Sequence, residues 1–412
     1  MKALYALLMI GLAGCARAPV EAAPPMPVSF GDYRLQTLAQ IERNRQFQNP
    51  DHTLELAWNA PREWVPAQPN GRGVLLVHGL GDSPGSFVDI ATQLASQGYR
   101  VRTVLLPGHG TRPADMLDVD INDWRRTVEQ QVTLLRKDVG QVYLGGFSTG
   151  ANLVVAYAMD DQSIAGLLLF SPAFKSNVAF DWVLPWLAKV KPWLRQPSST
   201  APQQTSLRYQ NVPTNGFAQF YLSSTAVRSK LAAQAFDRPV LVVSAAHDSV
   251  VDVEFIRDAF HRRFPNPASR MIWYGNLANE LRSPRLLVRS DQMPAEHISQ
   301  FSHMGVLFSP DNPQYGRQGN QRLCWNGQSD MAYQQCQAGG PVWYSDWGYR
   351  EPGKVHARLT YNPYFAWQSE VMAQVLEAGA QGHPGAPGIG GGADDTANAS
   401  DRLNPRSELA MD

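Results

Sequence analysis

The sequence predicts an α/β protein, a mostly parallel sheet flanked by helices with one helical insertion over its strand ends. Two observations carry this expectation. Six mainly apolar runs, at residues 73–78, 101–106, 141–144, 164–170, 239–244 and 271–274, read as continuous rather than alternating, as strands buried on both faces of a parallel sheet must be. Helix-length segments at 86–97, 121–137 and 150–159 lie between them, and strand alternating with helix closes into one sheet by right-handed crossovers. With 412 residues and 44% apolar content the chain can bury a large core, best read as one domain with insertions.

Taken in order, residues 1–14 read as a signal peptide: one positive charge, an apolar run too short to span a bilayer, then small residues. Leu12-Ala13-Gly14-Cys15 resembles a bacterial lipobox, which implies cleavage before Cys15 and lipidation there. Ala16, rather than Asp, implies sorting to the outer membrane of a Gram-negative-type envelope, on a side the sequence does not give. An ordinary secretory signal with a chance cysteine is the alternative. Acyl chains on Cys15 would form a membrane anchor, each buried methylene contributing about 0.8 kcal/mol. Residues 15–29, rich in Ala and Pro, form a tether, and the globular part starts at residue 30. Residues 53–58 alternate as an early edge strand, and 61–70 read as a turn-rich connection.

The core spans 30–170 and 231–378. Between its halves, 171–230 breaks the alternation and is expected to form a cap, with one helical stretch at 180–194 limited by two prolines and another carrying Phe217, Phe220, Tyr221 and Val227. These aromatics are read either as plain core or as the lining of an acyl pocket. Within an excursion at about 309–354, Cys324 and Cys336 are expected to form a disulfide in an oxidising compartment, with a pair of buried thiols as the alternative; they lack the spacing and the His company of a zinc site. Residues 362–376 read as the closing helix, with Pro363 in its first turn. Residues 379–412 are too poor in apolar side chains to offset ordering entropy and are expected to be disordered.

Lys+Arg and Asp+Glu both number 36, so no net field draws the chain to nucleic acid. The chemistry concentrates at Leu144-Gly145-Gly146-Phe147-Ser148-Thr149-Gly150, where a strand end turns sharply into a helix around G-x-S-x-G. A serine hydroxyl needs an imidazole to take its proton, and the imidazole needs a carboxylate to fix its tautomer. Asp248 follows an apolar strand directly, where an open α/β sheet gathers its catalytic groups. Asp252, one helical turn on, is the rival, although a helix start wants a carboxylate too. His247 is read as a surface or supporting residue. For the base, His303 sits in a loop with small neighbours, whereas His297 lies in a stretch, 294–299, that reads as helical and exposed. His356 and His383 come late. The Thr149 amide and the Leu80 amide, in the loop after the first apolar run, are the expected oxyanion donors. Phosphate cradling by that glycine-rich loop is disfavoured because no Lys-Ser/Thr follows.

His78-Gly79-Leu80-Gly81-Asp82-Ser83-Pro84, Leu106-Pro107-Gly108-His109-Gly110-Thr111, Gly146-Phe147-Ser148-Thr149-Gly150, Asp248 with Val250-Val251, and Ser302-His303-Met304-Gly305 together resemble the α/β-hydrolase carboxylesterase and monoacylglycerol-lipase group, in its order and over about residues 70–375. The resemblance implies the α/β-hydrolase fold with a short helical cap, no cofactor and no metal. It also implies hydrolysis of small-molecule carboxylic esters by a Ser-Asp-His triad. The long gap between Asp248 and His303 and the cysteine-bearing insertion depart from the pattern. A thioesterase or aminopeptidase on the same triad is an alternative, as is a catalytically silent binding or scaffolding lipoprotein. An aminopeptidase also needs an anionic group for the substrate amine, and none can be placed from sequence.

Overall fold

The computed structural model describes residues 27–198 and 203–381. Strands β1 (Glu63–Trp64), β2 (Arg72–Val77), β3 (Arg100–Val104), β4 (Gln141–Phe147), β5 (Ile164–Phe170), β6 (Val240–Ala245), β7 (Arg270–Tyr274) and β8 (Leu286–Arg289) form one sheet in the order β1-β3-β2-β4-β5-β6-β7-β8. Every pairing is parallel except β1 with β3. β5 and β6 are buried along their whole length, which is why they carry no charged residue and only Ser244 as a polar side chain.

The helices are α1 (Phe30–Asn44), α2 (Thr53–Asn59), α3 (Val88–Ser96), α4 (Ile121–Arg136), α5 (Thr149–Asp160), α6 (Leu184–Leu187), α7 (Thr214–Ala233), α8 (Val253–Arg263), α9 (Asp330–Gln337) and α10 (Phe365–Gln381). Alternate strand residues feed two cores. Leu75 and Val77 join Trp124 and Val128 of α4, Leu153 of α5, Val227 of α7 and Phe260 of α8 on one face. Val74 and Leu76 join Ile90 and Leu94 of α3 and Val371 and Val375 of α10 on the other. The sheet is thus covered on both sides, as a parallel sheet requires.

Several expectations are corrected. Residues 53–58 form α2, not an edge strand: Glu55, Trp58 and Asn59 are the buried set, a helical spacing, and the Thr53 amide donates to Asp51 Oδ1 at 2.9 Å at the helix start. The edge strand is β1, inside the stretch read as turns. Pro363 precedes α10 instead of sitting in its first turn, where Asn362 Oδ1 accepts the Tyr364 amide at 2.9 Å. α10 runs to Gln381, past the expected end of order at 378. The signal, Cys15 and residues 382–412 lie outside the described residues.

In the cap, Phe180, Trp182, Trp186 and Val190 are 58–79% exposed. These residues are therefore not plain core. α7 carries Phe217, Phe220 and Tyr221 half-buried and Val227 fully buried. In the excursion, β9 (Trp343–Ser345) pairs in parallel with β10 (His356–Arg358), and Cys324 and Cys336 are joined by a disulfide with Cα atoms 5.6 Å apart.

Candidate active site

β2 lies between β3 and β4, so the chain leaves it toward one edge of the sheet and returns on the other side. The carboxyl ends of strands at such a switch form the natural crevice of an open α/β sheet. The loop with Leu80 leaves β2 there, Ser148 leaves β4, and Asp248 follows β6.

Ser148 has φ 54° and ψ −117°, a left-handed turn forced on a non-glycine residue between β4 and α5. The flanking glycines have a steric cause: a Cβ at Gly146 would stand 2.4 Å from the Ala151 nitrogen, and one at Gly150 only 2.0 Å from the Val77 oxygen. The turn is pinned by the Ser148 amide donating to Phe170 O at 3.0 Å, and by Ser148 O accepting from Ala151 and Ala173 at 3.1 and 3.3 Å. Thr149 opens α5, so its amide is among those a helix cannot satisfy internally.

Asp248 Oδ2 lies 2.6 Å from His303 Nδ1, while Oδ1 accepts the Val250 and Val251 amides at 2.9 and 3.3 Å. That bond places the proton on Nδ1 and leaves Nε2 as the acceptor. The His303 carbonyl accepts Ser171 Oγ at 2.8 Å, and its ring packs 5.0 Å from that of Phe147, the neighbour of Ser148. Asp252, the rival acid, caps α8 through the Phe255 amide at 2.9 Å and pairs with Lys175 at 2.7 Å. His297, the rival base, is exposed at φ 55° against the Trp343 ring. His247 pairs with buried Asp291 at 2.6 Å, and that hydrogen bond raises its pKa. His356 is buried near Glu351.

Two histidines quoted only as parts of motifs shape the loop after β2. His78 Nε2 accepts the Leu106 amide and His109 Nε2 accepts the Gly81 amide, each at 3.1 Å. Their Nδ1 atoms face the Gly79 and Pro107 carbonyls, and the rings meet edge to face at 4.8 Å. Burial pushes both below the ordinary histidine range, His109 furthest, so both are neutral acceptors at pH 7.

Three residues were not legible as site residues. Ser171 and Asn177 fix the main chain of His303 and Asp248, the latter through Asn177 Nδ2 on Asp248 O at 3.1 Å. Asp346, from the excursion, reaches both loops. None belongs to a recurring motif, so only contact reveals them.

Residues 68–281 match the family Hydrolase_4, described as serine aminopeptidase, S33. A thermostable monoacylglycerol lipase of Bacillus sp. (strain H-257) is 29% identical over 188 residues, 43% of this chain and 71% of that protein. A structure described under the metagenome-derived lipolytic enzymes LipS and LipT covers 52% of this chain and 87% of its own at 23% identity and TM-score 0.46. A soluble variant of monoglyceride lipase from Saccharomyces cerevisiae, in complex with a substrate analog, covers 52% and 82% at 17% identity and TM-score 0.42. His303, Asp346 and the disulfide lie beyond the residues matched to the family.

Proposed function

Because the chain belongs to the Hydrolase_4 family and is a carboxylic ester hydrolase of the α/β-hydrolase fold, we propose that it acts through a Ser148-His303-Asp248 triad on acylglycerol-type or other lipid-like esters. The observation that carries this reading is the Asp248–His303 bond at 2.6 Å, with the His303 ring 5.0 Å from that of Phe147, the neighbour of a serine in strained elbow geometry. His303 Nε2 takes the Ser148 proton as Oγ attacks the acyl carbon, and Asp248 stabilises the imidazolium. The oxyanion is held by the Thr149 amide and the Leu80 amide. In the Leu80 loop the Gly81 and Asp82 amides are already spent on His109 Nε2 and Gly79 O. The intermediate collapses, the leaving alcohol takes the proton from Nε2, and a water repeats the sequence on the acyl-enzyme.

The lipid-like preference is supported by the monoacylglycerol lipase relative and by the exposed cap aromatics Phe180, Trp182 and Trp186. The family's descriptive name suggests an aminopeptidase as second reading. It would need a free carboxylate for the substrate ammonium, yet Asp248 and Asp346 are both engaged by His303 and main-chain amides. A chain-length series of glycerol and 4-nitrophenyl esters, run beside thioester and aminoacyl-amide substrates, tests this. Turnover of long-chain monoacylglycerol is expected, and turnover of acetyl or peptide substrates alone would contradict it. Attachment to the outer membrane through Cys15 is part of the proposal and rests on the lipobox-like sequence; palmitate incorporation by the wild type but not by Cys15→Ser tests it.

A further inference from the structure

We propose that Asp346 is a positioning residue for the reaction: its carboxylate, delivered by the disulfide-bearing excursion, holds the loop of the acid and the loop of the base in register. This rests on the triad reading above. Asp346 Oδ2 accepts the main-chain N–H of Ser249, the residue after the acid, and Oδ1 accepts the main-chain N–H of His303 itself at 3.4 Å. One side chain thereby joins the two segments whose spacing sets the 2.6 Å contact between Asp248 and His303. Small displacements of such pairs cost rate steeply, because proton transfer needs a tight geometry.

Asp346 is itself held. Its carbonyl accepts Asn326 Nδ2 at 3.0 Å and Ser345 Oγ at 3.1 Å. Ser345 ends β9, paired with β10, and Asn326 follows two residues after Cys324 of the disulfide. The excursion therefore presents the carboxylate from a braced frame.

A carboxylate that is 1% exposed is costly unless something needs it. Here burial, and then the neighbouring charge of Asp248, push its pKa up, so a group present only to fill space would better be uncharged. The charged and titratable groups around it are Asp248 and His247 from the loop after β6, His303 from the facing loop, and Arg358 from β10, with Arg208 of the cap beside Arg358. Arg358 is the counter-charge facing both carboxylates.

The test compares wild type, Asp346→Asn and Asp346→Ala in kcat, KM and Tm, after fluorophosphonate labelling has been mapped on the wild type. Asp346→Asn keeps the shape and one acceptor. The expected result is a fall in kcat of about 10- to 100-fold with KM changed less than about threefold. A purely structural role would lower Tm and move kcat and KM together, with Asp346→Asn no better than Asp346→Ala. Wild-type kcat in Asp346→Asn, or a loss of kcat matched by an equal change in KM, would overturn the proposal alone. Absence of labelling at Ser148 in the wild type would overturn the triad reading, and this proposal with it.

Discussion

His303 Nδ1 and Asp248 Oδ2 meet at 2.6 Å across 55 residues of chain, while Asp252, four residues past Asp248, faces Lys175 instead. The two acids should therefore separate cleanly on mutation. Asp248→Asn removes the partner that fixes the His303 tautomer and should lower kcat by about 10⁴-fold. Asp252→Asn should leave kcat within about twofold and, since Asn still caps α8, cost at most about 1 kcal/mol by losing the part-exposed ion pair with Lys175. Steady-state kinetics beside urea unfolding check both.

The elbow glycines give a stability prediction. Gly150→Ala would drive a methyl to 2.0 Å from the Val77 carbonyl, against backbone rather than a side chain able to yield. It should destabilise by about 3 kcal/mol or more, or prevent folding. Gly31→Ala, in the first turn of α1 with its new methyl 3.6 Å from Ser29 Oγ, should instead stabilise by about 0.5–1 kcal/mol. Thermal melts of the two variants distinguish these outcomes.

A pH dependence follows from His78 and His109. Both have folded pKa values below the ordinary 6.5 because burial disfavours the imidazolium. The unfolded chain therefore binds these protons first as pH falls. Their contribution is complete well above pH 6.5 and is lost as pH falls below it, at up to about 1.4 kcal/mol per pH unit for each histidine. His247, raised by Asp291, works in the opposite sense with a single proton. Urea unfolding between pH 7 and 5 should show stability falling toward acid, and His109→Gln should flatten that slope by about one histidine's share.

Much of this site was readable from sequence because its parts are local. An elbow needs glycines two residues either side of the serine, and the acid follows an apolar strand directly. Thr53 to Trp58 misled because Leu54, Leu56 and Trp58 alternate with the smaller or polar Thr53, Glu55 and Ala57, yet burial falls on Glu55, Trp58 and Asn59, where Glu55 pairs with Arg45 at 2.7 Å. The cap aromatics left two readings open because apolar spacing does not say which face is covered. β1 spans two residues and β8 only four, too short to give a pattern. Asp346 was invisible for a different reason: its role depends on contacts to main-chain amides 43 and 97 residues away.

The disulfide bears on the excursion that presents Asp346. Closing a loop of 12 residues should restrict the unfolded chain by about 3 kcal/mol. Cys324→Ser/Cys336→Ser should lower stability by up to that amount and reduce kcat more than it raises KM, because Asn326 loses its anchored neighbour. Calorimetry and kinetics on the double variant read both effects.

The central claim is that Ser148 is the nucleophile. Intact-protein and peptide mass spectrometry after fluorophosphonate treatment tests it most directly. One adduct on the wild type, mapped to Ser148 and absent from a folded Ser148→Ala protein, is the predicted result. An unlabelled wild type, or an adduct that persists in Ser148→Ala, would contradict it.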